Sequence, residues 1–232
     1  VRGCIVPDAD HEAFDLEVDG ACRHAGLALP LLPDIEAALA RWPADRAGVR
    51  ITGSRELARL LGPGLAIGAL AADACGQAVR PVRAVLFDKS NRVDWALGWH
   101  QDRTIAVRER CDTAGFGPWS VKQGITHVEP PFAVIEAMLT LRIHLDPVDA
   151  DNAPLLIAAG SHRRGRVATG EVEDVVRGST VRACLAEVGD VWIYRTPILH
   201  ASNAARPGRR RRVLQVDYAS QGLPAGLEWL GI

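Results

Sequence analysis

The chain has no Cys-x-x-Cys pair, no long apolar run, no internal repeat and almost no net charge. Each absence excludes a class of protein. The five cysteines, Cys4, Cys22, Cys75, Cys111 and Cys184, are odd in number and widely spaced. That argues against a disulfide framework and against a structural zinc site, and fits idle thiols in a reducing compartment. The most apolar stretch, Leu65 to Ala78, is rich in alanine and glycine and carries Asp73. It falls short of the roughly 20 residues that a membrane-spanning helix requires. A net charge of -1 gives no general attraction to nucleic acid or an anionic membrane. The opening VRGCIVPDADHE carries acidic residues where a secretory leader needs an apolar core. The expectation is a soluble, cytoplasmic monomer or homodimer that acts on a small molecule, with no nucleic-acid or membrane partner.

With 232 residues, 48% apolar and 24% charged, the composition is that of an ordinary globular protein, read as one domain over 1–232. Residues 1–80 show helical spacing. Asp34 is placed to cap a helix in which Ile35, Ala38, Leu39 and Trp42 recur, stopped by Pro43. Ser54 can cap a second through Leu57, Leu60 and Leu61, ended by Gly62 and Pro63. A third lies between Leu65 and Cys75, ended by Gly76.

After Pro81 the period changes to two. Val82 to Phe87 reads as a strand. Met138 to Leu145 alternates Leu139, Leu141, Ile143 and Leu145 with Thr140, Arg142 and His144. Gly189-Asp190 is a turn signal before Val191 to Tyr194, and Arg211 to Ala219 alternates again. The fold class is mainly β with flanking helices: a double-stranded β-helix (jelly-roll, cupin-like) core over 81–220 behind a helical N-terminal third. Residues 103–131 lack a clear period and read as a lid or binding loop.

Chemistry concentrates in His100-Gln101-Asp102, a distant His200, and Arg211 eleven residues beyond. In a strand, residues i and i+2 point to the same side, so His100 and Asp102 can reach one ion while Gln101 turns away. A second strand must bring the other imidazole. Two imidazoles and a carboxylate are the facial triad of non-haem Fe(II) oxygenases, which leaves metal positions open. A lone H-x-D is common by chance. The distal histidine and the arginine raise its weight. In the run Arg206, Arg209, Arg210, Arg211, Arg212, the residue that opens the alternating strand, Arg211, is in phase with Val213, Gln215 and Asp217, opposite the apolar Leu214, Val216 and Tyr218. A mixed face inside a barrel is costly unless it lines a polar site, so Arg211 is assigned to that site and the other arginines to a solvated turn.

At these residues the chain resembles the phytanoyl-CoA dioxygenase family of Fe(II)/2-oxoglutarate-dependent oxygenases. The matching pieces, in family order, are W-H-Q-D (Trp99 to Asp102), D-N-A-P-L (Asp151 to Leu155), G-S-H-R (Gly160 to Arg163), Gly189-Asp190, L-H-A-S (Leu199 to Ser202) and R-R-V-L (Arg211 to Leu214). The resemblance implies that His100, Asp102 and His200 hold Fe(II). It implies that Arg211 and Ser202 bind the cosubstrate 2-oxoglutarate, with O2 as the oxidant, and that Lys89, where relatives often carry a lysine, joins them in the cosubstrate site, an exposed strand-end lysine being the alternative. The chain departs from the family at Ala153, where glycine is usual, and in the loop from Arg108 to Lys122, which suggests a bacterial small-molecule-modifying subfamily.

On this reading the reaction is hydroxylation, desaturation or ring formation on a small carboxylate-bearing metabolite, with release of succinate and CO2. A carboxylate at Asp102 disfavours halogenation, for which related enzymes carry a small residue there. Trp95, Trp99, Trp119 and Lys122 are candidate substrate-binding residues, although tryptophans equally pack under loops. Arg103, Arg108 and Arg110 read as solvated. The rival readings are a cupin-like metal-binding protein without turnover and a zinc-dependent hydrolase or isomerase. Nucleic-acid binding would rest on the arginine run alone, with no stacking aromatics nearby.

Overall fold

The computed structural model describes residues 14–43, 46, 48–89, 96–204 and 210–232. In chain order it forms β1 (Ala21–His24), α1 (Leu32–Leu39), β2 (Val49–Ile51), α2 (Arg55–Leu60), α3 (Ala66–Cys75), β3 (Arg80–Lys89), β4 (Leu97–His100), β5 (Ile105–Val107), β6 (Trp119–Lys122) and β7 (Ile125–Val128). There follow α4 (Phe132–Glu136), β8 (Leu139–His144), β9 (Leu155–Ala158), α5 (Val172–Arg177), β10 (Val181–Cys184), β11 (Val191–Arg195), β12 (His200–Ser202) and β13 (Arg211–Ala219).

The strands make a six-stranded sheet in the order β1-β11-β8-β13-β3-β2 and a four-stranded sheet β10-β9-β12-β4, all pairs antiparallel. Leu155 and Ile157 of the small sheet pack against Trp192 and Tyr194 of the large one, so the two sheets face each other as in a jelly roll. The outward face of the large sheet carries Leu141, Ile143, Ile193, Leu214, Val216 and Leu86, and α1, α2 and α3 cover it with Ile35, Leu57, Leu60 and Ile67.

Tyr218 donates a hydrogen bond to Leu61 O (2.8 Å) and ties this layer to the sheet. A Cβ on Gly68 would lie 2.1 Å from Gly62 O, so α3 approaches the end of α2 at a distance only glycine permits.

Local signals explain two of the helices. The Ser54 side chain accepts a hydrogen bond from Leu57 N (3.3 Å), and Gly76 ends α3 in the left-handed conformation (φ 65°). Asp34 does not cap α1. The chain is already helical at Leu32, with a short tight turn over Leu29–Leu31 before it, and Asp34 lies in the first turn, where its charge complements the helix N-terminus.

The first third is not purely helical either. It supplies β1 and β2, the two edge strands of the large sheet, each too short to show a period. The aperiodic stretch after Asp102 is also ordered differently from a loop. It folds into a third sheet, β5-β7-β6, whose β6–β7 hairpin turns at Gln123-Gly124, both with positive φ (53° and 77°).

Candidate active site

The small sheet brings together the three candidate metal ligands. In the β12–β4 pair His200 lies directly opposite His100, with ring centroids 4.3 Å apart, and Asp102 follows two residues after His100. One ligand atom from each of the three lies within 4.8 Å of the others.

Backbone carbonyls fix both rings: His100 Nδ1 meets Gly98 O (2.7 Å) and His200 Nδ1 meets Ile198 O (3.0 Å). Each Nδ1 therefore carries the proton, and each Nε2 lone pair is left for a ligand. Burial and the neighbouring His100 push the His200 imidazole down to about 4, against the pull of Asp102, so it is neutral, the form a metal needs.

Gln101, on the opposite side of the strand, donates to Gly165 O (2.9 Å) and Pro197 O (2.7 Å) and accepts from Val167 N (2.9 Å). One side chain thus pins the H-x-D segment to the turn that leads into His200.

Asp102 is held by charge. Burial alone would raise its carboxyl, but Arg83 and the two imidazoles bring it below the ordinary value. Arg83 Nη2 stands 3.7 Å from Asp102 Oδ2 and Nε bonds Asp217 Oδ2 at 2.5 Å. Thr140 donates to Asp217 Oδ1 (3.1 Å). The buried Asp102 Oδ2 has no hydrogen-bond partner among the described residues. A buried carboxylate oxygen left without a donor, on a residue grouped with two imidazoles whose Nδ1 atoms are already engaged by backbone carbonyls, fits a divalent cation.

The three ligands open into a cavity of about 560 Å3 between the sheets. Its walls include Arg211, Ser202, Leu155, Arg142, Gln215, Arg83, Arg103, Arg50 and Lys122. The register explains the large-sheet residues. Arg142 pairs with Gln215, Gln215 with Val85, and Val85 with Arg50, one row across four strands on the inner face. Arg142 also donates to Gln215 Oε1 (3.0 Å) and lies over the Phe87 ring (5.5 Å).

The site residues expected from the sequence fall into three groups. His100, Asp102, His200, Arg211, Ser202 and Lys122 line the cavity together. Arg211 is buried and donates to Ala153 O, and Ala153 holds positive φ (50°), the demand on the backbone expected where glycine is usual. Lys89 is fully buried rather than exposed, opposite Arg211 in the β3–β13 pair, with Nζ donating to Asn203 O (2.8 Å).

Two tryptophans lie elsewhere. Trp99 packs against Ala158, Val167, Val172 and Leu199, and Trp119 packs in the cluster around Ile105 and Val128, with Arg110 over its ring. Both occupy apolar clusters because a strand's alternate side chains leave the site. Trp95 lies outside the described residues. Of the arginines read as solvated, Arg108 and Arg110 pair with Glu228 and Asp112, whereas Arg103 lines the cavity and donates to Val167 O. Arg50, Arg83 and Arg142 were not anticipated. Arg142 shares a period with Thr140 and His144, which was the only signal for it.

Two imidazoles and a carboxylate on a jelly roll, open to a polar cavity, define a mononuclear metal site of the non-haem oxygenase kind. The family profile described as phytanoyl-CoA dioxygenase (PhyH) matches residues 60–213. The chain belongs to this family of Fe(II)/2-oxoglutarate-dependent oxygenases. No curated protein sequence is a significant match.

Solved structures share the fold. The epimerase SnoN, in complex with Fe3+, alpha ketoglutarate and nogalamycin RO, is 17% identical with a TM-score of 0.64, over 88% of this chain and 80% of that one. The alpha ketoglutarate dependent carbocyclase SnoK from nogalamycin biosynthesis is 16% identical with a TM-score of 0.62, over 94% and 85%. EctD from S. alaskensis, with 2-oxoglutarate and 5-hydroxyectoine, is 16% identical with a TM-score of 0.61, over 88% and 73%.

Proposed function

We propose that this protein oxidises a small carboxylate-bearing metabolite, an amino acid or natural-product intermediate, by hydroxylation, desaturation or ring formation, consuming 2-oxoglutarate and O2 and releasing succinate and CO2. The observation that carries the reading is the placement of Arg211 and Ser202 in one cavity with His100, Asp102 and His200. A metal holder or a zinc hydrolase has use for the triad but none for a buried arginine and hydroxyl beside it.

In this reading His100, Asp102 and His200 hold Fe(II), which supplies the activation of O2. The chain's own residues orient and exclude. Arg211 presents its guanidinium to the far carboxylate of 2-oxoglutarate, a charge-assisted contact that Lys would reproduce poorly, and Ser202 offers a hydroxyl to the same group. Lys89 buttresses that end of the site from the neighbouring strand. Asp102, fixed by Arg83, stays ionised and occupies the position that a halide would need. The similar structures include an epimerase and a carbocyclase, so the scaffold supports several oxidative outcomes.

The test is turnover. With Fe(II) and O2 the wild-type protein should convert 2-oxoglutarate to succinate, and Arg211→Ala should raise the KM for 2-oxoglutarate by about 10- to 100-fold, as expected for a hydrogen-bonded charge. An iron-loaded wild-type protein that forms no succinate contradicts the proposal.

A further inference from the structure

Among the described residues, six cationic side chains but a single carboxylate, Asp102, line the cavity. Most of the cations are committed. Arg83 is ion-paired with Asp217, Arg103 donates to Val167 O, Arg142 donates to Gln215, and Arg211 is the proposed grip on the cosubstrate. A divalent metal and a dianionic cosubstrate cancel each other's charge, so loading the site leaves the positive excess in place.

Arg50 and Lys122 remain. Neither is ion-paired with a carboxylate among the described residues, and Arg50 Nε is buried without a hydrogen-bond partner. Lys122 Nζ has only the Thr104 hydroxyl, at 3.4 Å.

The fold holds these two side chains at one end of the cavity. Arg50 sits opposite Val85 on β2, the edge strand, and so points to the inner face. Lys122 ends β6, and the next residue, Gln123, donates to Gly48 O (2.9 Å), clamping the hairpin tip to the start of β2. Partial desolvation lowers both groups, joined by repulsion from Arg83 and, for Lys122, from Arg50. Like charges brought together in a partly desolvated site are destabilising unless an anion joins them. The place is separate from the cosubstrate end. Arg50 is level with Val85, Arg211 is level with Lys89, and the four steps along β3 from Val85 to Lys89 span roughly 13 Å at about 3.3 Å each.

We infer that Arg50 and Lys122 form an oxyanion subsite that receives the acidic group, carboxylate or phosphate, of the molecule being oxidised. This rests on the oxygenase reading for the identity of the ligand, but the binding site itself is tested apart from it.

The experiment titrates inorganic phosphate and, separately, acetate calorimetrically into the full chain loaded with Ni(II) and 2-oxoglutarate, and into the Ni(II)-loaded chain alone. Wild type is compared with Lys122→Gln, Lys122→Glu and Arg50→Gln. Lys122 is exposed, so its variants keep the fold even if Arg50→Gln does not. At least one anion should bind the wild type, about tenfold more weakly to Lys122→Gln and not measurably to Lys122→Glu, while 2-oxoglutarate affinity moves less than twofold. Tighter binding of phosphate than of acetate identifies a phosphorylated substrate, and the reverse a carboxylic acid. Anion binding equal in wild type and variants, or absent from wild type, overturns the inference. So does a loss of 2-oxoglutarate affinity as large as that for the anion. A wild type that binds the anion but not 2-oxoglutarate overturns the cosubstrate reading and leaves the subsite standing.

Discussion

Gln101 shows how much of this site depends on residues that touch no ligand. Its amide makes three hydrogen bonds to backbone groups of Gly165, Val167 and Pro197, and it is buried. Replacing it with leucine keeps the bulk and leaves one N–H and two carbonyls without that partner. At about 1–3 kcal/mol for each buried group left unsatisfied, Gln101→Leu should cost on the order of 3 kcal/mol of unfolding free energy and weaken metal binding. Urea unfolding and metal titration check this, and a change below about 0.5 kcal/mol, the ordinary surface-substitution range, would contradict it. The sequence placed Gln101 only as the residue that points away. The candidate ligands were legible because residues i and i+2 of a strand share a side, and the distant His200 and Arg211, in phase with Gln215 and Asp217, gave weight to an H-x-D pair that is weak alone. Arg50 and Arg83 were not, since their role depends on which strands pair, and pairing is not written in either strand alone.

The elements read from the sequence best were those with local punctuation: α2 with its Ser54 cap, α3 with Gly76, and the long alternating strands β8 and β13. Those read worst were short. β1, β2 and β5 have three or four residues each, at most two periods of alternation. The β5-β7-β6 sheet also carries a titratable weakness. His127 on β7 is buried, its Nδ1 meets Ile125 O (2.9 Å), and its Nε2 has no partner among the described residues. Burial, with repulsion from Arg83, Lys122 and Arg50, pushes it down to about 4 from an ordinary value of 6.5. The folded value lies below the unfolded one, so the unfolded chain takes the proton first. Stability is full above pH 6.5 and falls as pH descends toward 4. Protection factors of residues 105–107 and 125–128, meaning exchange corrected for its intrinsic pH dependence, should therefore fall as pH descends through that window, and His127→Gln should flatten the dependence. Protection that is flat across the window in the wild type would contradict the assignment.

At the scale of the whole molecule the design is a division of labour between two facing sheets. The four-stranded sheet brings together the three candidate ligands, and the inner face of the six-stranded sheet supplies Arg50, Arg83, Arg142 and Arg211, while its outer face is covered by α1, α2 and α3. Among the described residues no helix is long and apolar enough to cross a membrane. The central claim is that both sheets serve one iron-bound keto acid. Its most direct test is the visible charge-transfer band formed when 2-oxoglutarate chelates Fe(II), recorded anaerobically on the wild type, His200→Ala and Arg211→Ala. A band in the wild type that is lost in His200→Ala, and that needs far more 2-oxoglutarate in Arg211→Ala, is the predicted result. Iron bound by the wild type with no band, or a band equally strong in Arg211→Ala at the same 2-oxoglutarate concentration, would contradict the account.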